Sequence, residues 1–82
     1  MELREEIRQY VAENFLPAAQ RQSLGDTTPL ISGGLIDSIG MIKLMSFLER
    51  RFAVEFLPRE VDAHTFDTVT SIEQVIHKKL GS

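Results

Sequence analysis

The chain has 82 residues, 43% of them apolar and 26% charged, a composition for one globular domain with a single core that excludes a disordered chain and leaves no room for a second domain. Zero cysteines exclude a disulfide framework and a thiolate metal site, leaving His64 and His77 as the only nitrogen ligands. Nine basic against twelve acidic residues give a net charge of −3 without a basic cluster that follows a phosphate backbone, so nucleic acid is a poor partner. No apolar run is long enough to span a bilayer or to serve as a signal-peptide core, and the expected compartment is the cytoplasm. So small a domain also lacks the room for the usual enclosed pocket of roughly 300 Å³ or more, which disfavours an enzyme.

In chain order, Met1 to Leu16 carries Leu3, Ile7, Tyr10, Val11 and Phe15 at helical spacing, with Glu2, Arg4, Glu5, Glu6, Arg8 and Glu13 on the other faces. This predicts an amphipathic surface helix stopped by Pro17. From Pro17 to Ile36 the periodicity breaks. Gly25, Asp26, Thr27, Thr28, Pro29, Ser32, Gly33 and Gly34 are turn formers, and Leu24, Leu30, Ile31 and Leu35 are the anchors expected to hold so long a connection. A second helix is predicted from Asp37 or Ser38 to about Phe52, with Met41, Leu44, Met45, Leu48 and Phe52 as its core-facing stripe. Ala53 to Leu57 reads as extended, Pro58 opens a turn, and a short helical turn is expected near His64 to Asp67. The last segment, Thr70 to Leu80, places Ile72, Val75, Ile76 and Leu80 at helical spacing behind a Thr70-x-x-Glu73 capping box, with Lys78 and Lys79 in its final turn. The fold class is therefore all-α. It is a small four-helix bundle of three main helices and one short helix, with a long loop between the first and second, occupying residues 1–82 as one domain.

Chemistry centres on Ser38, which follows Gly33, Gly34, Leu35, Ile36 and Asp37 at the junction between the long loop and the second helix. Its plain reading is helix capping, by Ser38 itself or by Asp37. Capping leaves Ile39 and Ile42 unexplained, because they fall outside the core stripe and face outward beside Ser38 as a contact surface does. A hydrolase nucleophile needs a base within hydrogen-bond reach; the helical neighbours Gly34, Leu35, Met41 and Ile42 include none, and no G-x-S-x-G elbow is present. His64 and His77, with no ligand cluster near either, read as surface residues, and Met41 and Met45 as core filling.

The stretch Gly34-Leu35-Ile36-Asp37-Ser38-Ile39-Gly40-Met41-Ile42-Lys43-Leu44 resembles the prosthetic-group site of acyl and peptidyl carrier proteins, whose hallmark is an Asp-Ser-Leu-type tripeptide at the start of the second helix. The chain length, the amphipathic first helix, the long loop, Leu48-Glu49-Arg50-Arg51-Phe52 closing the second helix and a last helix after Thr68-Val69-Thr70 extend the resemblance over nearly all of the chain. The resemblance implies that Ser38 receives 4'-phosphopantetheine from coenzyme A by way of a separate Mg²⁺-dependent phosphopantetheinyl transferase. The resulting phosphoprotein carries an acyl or aminoacyl thioester and is not itself an enzyme. Asp37 matches the family's acidic residue before the serine, which contacts the metal during transfer. Ile39 stands where leucine is usual. Ile39, Ile42 and Lys43 are the implied partner-facing residues.

The implied partners are the transferase, an adenylating or acyl-loading enzyme, and a downstream acyltransferase, synthase or condensation enzyme of fatty acid-like, polyketide or nonribosomal peptide-type biosynthesis. The carrier is expected to act as a monomer without membrane insertion. One departure separates it from fatty-acid carriers, whose second helix is typically acidic. Here Asp37 to Phe52 holds two acidic and three basic residues, a net charge of +1, so long-range attraction to basic partners is weak and recognition rests on Ile39, Ile42 and the loop. The glycine-rich approach to Ser38, with Phe66-Asp67-Thr68, looks more like discrete aminoacyl carriers of the D-alanyl or peptidyl kind. The rival from another class is an unmodified helical interaction module, with Ser38 as a helix N-cap and Ile39 and Ile42 as its docking patch.

Overall fold

Three α-helices carry the fold in the computed structural model, which describes residues 2–81: α1 (Leu3–Phe15), α2 (Ser38–Phe52) and α3 (Val69–Lys79). Met1 and Ser82 lie outside the described residues. Two 3-10 helices, Ala18–Ser23 and Pro58–Glu60, sit in the connections, and no strand occurs among the described residues. The chain is thus the expected all-helical bundle, with its short helices in other places. The first lies inside the long loop, and the segment near His64 to Asp67 is a turn. No described helix is long and apolar enough to cross a membrane.

Each helix buries a stripe in one common core. Ile7 and Val11 of α1, Leu44 and Leu48 of α2 and Ile76 of α3 have no exposed surface, and Ile72 has 1%. Leu3, Tyr10 and Phe15 complete the stripe of α1 as half-buried residues packed on that core. In α2 the buried face is turned from the expected stripe towards Gly40, which is buried, and Phe47, which is half-buried; Met41, Met45 and Phe52 are half-buried at the opposite edge. Phe47 stacks on Tyr10 with ring centroids 3.8 Å apart, so α1 draws that side of α2 inward. The approach is close enough to require a glycine: a Cβ at position 40 would meet Phe15 at 3.0 Å and Ile36 at 2.9 Å.

The helix ends explain two differences from the sequence reading. Thr68 caps α3 by accepting from the Ser71 N–H at 3.0 Å, while Ser71 Oγ accepts from the Thr68 N–H at 3.3 Å. The capping box is therefore Thr68 with Ser71 rather than Thr70 with Glu73, because Thr70 donates both its N–H and its hydroxyl to the Asp26 carbonyl. At the other end Leu80 lies just past the last helical residue and is 52% exposed, outside the core stripe. The C-terminus of α1 has no basic residue in its last turn. Arg21 of the first 3-10 helix turns back instead, donating to the carbonyls of Ala12 at 3.1 Å and Glu13 at 3.3 Å.

Candidate functional site

The approach to Ser38 is a loop held in place by the start of α3. Leu30 and Ile36 of that loop are buried at 0% and 2% exposure. The Leu30 N–H donates to the Asp67 carbonyl at 2.6 Å, and the Asp67 carboxylate accepts from the N–H groups of Ile31 and Ser32, both at 2.8 Å, and from the Ser32 hydroxyl at 2.9 Å. These bonds, led by the Ser32 N–H, hold the Asp67 carboxyl below its usual range against partial desolvation. Within the loop the N–H groups of Leu35 and Ile36 both donate to the Leu30 carbonyl at 2.9 Å. The turn closes so tightly that a Cβ at Gly33 would fall on the Pro29 carbonyl oxygen. Gly33 is thus a requirement of a fixed turn, not a source of flexibility.

Asp37 ends the loop in extended conformation, and its Oδ1 accepts the Gly40 N–H at 2.7 Å, while its carbonyl accepts the Met41 N–H at 2.8 Å. Of the two candidate caps the structure uses Asp37. Ser38 is the first helical residue, exposed, and its hydroxyl makes no hydrogen bond among the described residues. The N–H groups of Ser38 and Ile39 belong to the unpaired first turn and have no acceptor among the described residues, so two backbone donors and the positive end of a 15-residue helix lie beside the Ser38 hydroxyl. That is a surrounding in which a phosphodiester on Ser38 is favoured. No base touches the hydroxyl: His64 is exposed in its turn, and His77 Nε2 lies 3.9 Å from the Glu73 carboxylate on α3.

Ile39 and Ile42 are 66% and 53% exposed, the two highest values for large apolar side chains among the described residues. They diverge on the helix. Ile39 joins Lys43, Gly40 and Asp37 along an open groove of about 310 Å³, whose far wall is Tyr10, Asn14 and Phe15 of α1. Ile42 is exposed but not part of that groove, and Ser38 sits between two residues that are, Asp37 and Ile39. Sequence reading missed three contributors to this region: Asp67 as the anchor of the loop, Gly40 as the point of close helix approach, and Asn14 as a groove wall. Asp67 and Gly40 stood within stretches that carry the family resemblance, but nothing local gave their structural roles; Asn14 gave no signal. The chain matches no known family model and no curated protein sequence.

Proposed function

We propose that the chain is a carrier domain, loaded at Ser38 with 4'-phosphopantetheine from coenzyme A and passing an acyl or aminoacyl thioester between enzymes. The observation that carries this reading is the exposed, unbonded Ser38 hydroxyl at the first position of a helix whose capping is done by its neighbour Asp37. During loading Ser38 Oγ forms a bond to the phosphorus of the pantetheine-linked phosphate. The pyrophosphate bond of coenzyme A breaks, adenosine 3',5'-bisphosphate leaves, and the hydroxyl proton passes to a base that the transferase must supply. Asp37 Oδ2 makes no hydrogen bond among the described residues and is free to meet the transferase-bound Mg²⁺. The bound group supplies the thiol that a chain without cysteine lacks.

Ser38 and Ile39 then hold the phosphodiester through their backbone N–H groups, while Ile42 and the loop face the loading and acceptor enzymes. The slightly basic second helix favours an aminoacyl or peptidyl-type partner set over that of fatty-acid synthesis. The test is intact mass after incubation with coenzyme A, Mg²⁺ and a broad-specificity phosphopantetheinyl transferase. Gain of one phosphopantetheinyl group, absent in Ser38→Ala, is the expected result; an unchanged mass rejects the reading.

The exposure of Ile39 and Ile42 favours a second reading, an unmodified interaction module. In that reading Ser38 has no role as a cap, since Asp37 holds that position, and the mass remains unchanged under the same conditions.

A further inference from the structure

The groove between α1 and α2 lies immediately beside Ser38, and its chemistry is mixed. Asp37 and Ile39, the residues either side of Ser38, form its near edge. Phe15, Ile39 and the ring of Tyr10 give it an apolar surface, the Asn14 carboxamide and the Tyr10 hydroxyl add uncharged polar groups, and Lys43 is the one cation and Asp37 the one anion among its lining residues. Gly40 lies at the base, where the lack of a side chain lets Phe15 and Asp37 close in. Behind it the core is occupied by Leu44, Leu48, Phe66, Ile72 and Ile76, at 0 to 1% exposure.

We infer that this groove is the resting site of the pantetheine arm attached at Ser38, specifically of its phosphate-proximal half; this rests on the carrier reading. That half consists of a phosphodiester, a carbon bearing two methyl groups, a hydroxyl and an amide. Lys43 matches the phosphodiester charge, Ile39 and Phe15 match the methyl pair, and the Asn14 carboxamide matches an amide by donating to its carbonyl or accepting from its N–H. A volume of about 310 Å³ holds a segment of this size and leaves the cargo end outside, open to partner enzymes. The exposed residues of α2 thereby separate by role, with Ile39 and Lys43 holding the arm and Ile42 facing partners.

The absence of native cysteine makes a direct test possible, since Ser38→Cys introduces a single thiol. Alkylation with a 4'-phosphopantothenamide whose phosphate carries a haloacetamidoethyl ester attaches the phosphate-proximal half in its natural direction, through a short spacer and without any transferase, and alkylation with iodoacetamide gives the short control. Tyr10 is the only tyrosine and the chain has no tryptophan, so intrinsic emission reports on the groove wall alone. Relative to the control, the arm should shift the backbone amide resonances of Asn14, Phe15 and Lys43 and change the Tyr10 emission. Shifts confined to residues 37–40 with unchanged emission, or shifts that map to α3 instead, would overturn the inference. Attachment here is chemical, so failure of enzymatic loading would remove the carrier reading while the groove result stands on its own measurement.

Discussion

Asp37 and Ser38 divide two roles that their neighbouring positions in sequence left open. Since Asp37 Oδ1 satisfies the Gly40 N–H, truncating it to alanine should cost about 0.5–2 kcal/mol, the usual worth of a helix cap. Ser38→Ala removes only an exposed, unbonded hydroxyl and should stay within about 0.5 kcal/mol of the parent while abolishing loading. Urea denaturation of both variants beside intact-mass measurement checks the pair; a Ser38→Ala variant as unstable as Asp37→Ala would mean that Ser38 shares the cap. The facing of α2 gives a second contrast. Ile42→Asp should leave the midpoint nearly unchanged and slow turnover by partner enzymes, whereas Leu48→Ala should cost about 2–5 kcal/mol as a core truncation. Phe52→Ala should cost less than Leu48→Ala, because Phe52 is half-buried and packs at the edge of Phe47. Periodicity identified Leu44 and Leu48 correctly as core and Ile39 and Ile42 as surface. It could not identify Gly40 as buried, because a glycine carries no hydrophobic signal and its burial follows from the neighbouring helix.

At the level of elements, α1, α2 and α3 were legible because their apolar residues recur at helical spacing, and their observed bounds fall within two residues of the expected ones. The long loop was legible in its anchors, since Leu24 and Leu30 are buried and Ile31 and Leu35 pack on the core as expected, but not in what orders its backbone. Its order comes from Asp67 and Thr70, which lie 35 to 44 residues away from the atoms they bind, and no local pattern encodes such pairs. The first 3-10 helix escaped notice for a similar reason, since what fixes it is Arg21 folding back on α1. The Asp67 contacts also set a pH dependence. A carboxyl whose folded-state pKa is depressed contributes stability that is present above its unfolded value, near pH 4, and is lost as pH falls through the folded value. Asp67→Asn should therefore lower the urea midpoint at pH 7, and its deficit should shrink below about pH 4 as the parent loses the same charge. Glu60, held low first by Lys79, and Asp62, held low first by the Thr65 N–H, leave a smaller acid dependence in the variant. An equal deficit at pH 7 and pH 3 would show that the Asp67 charge contributes nothing.

The whole molecule measures 36 by 27 by 20 Å, so at its narrowest it is about two helices thick and every helix keeps a face in water. Charge on those faces acts mainly on encounter rates and is screened over about 8 Å at physiological salt. Lys43 and Arg50 are exposed, and replacing both with glutamate takes the segment from Asp37 to Phe52 from +1 to −3. If the carrier reading and its aminoacyl assignment hold, Lys43→Glu with Arg50→Glu should load more slowly from the native adenylating enzyme and be accepted better by a fatty-acid synthase partner. Both effects should fade at high salt. Rates unchanged from the parent with both enzymes at low salt would mean that the charge of this helix does not select partners.

The ties between the long loop and α3 also determine when the region around Ser38 acquires its shape. Closing contacts across some forty residues costs chain entropy before any bond compensates for it, so the turn from Leu30 to Asp37 cannot settle early in folding from α1 and α2 alone. It matures with the docking of the last helix. Loop and α3 then open and close as a single cooperative unit, and the amides of Leu30, Ile31 and Ser32 should exchange with solvent deuterium as slowly as those in the middle of α3, far more slowly than those of the 3-10 helix at Ala18–Ser23. Fast exchange at Leu30 and Ile31 beside a protected α3 would separate the two. An ordinary surface connection is usually the first part of a protein to loosen; here the segment that presents the serine should be among the last.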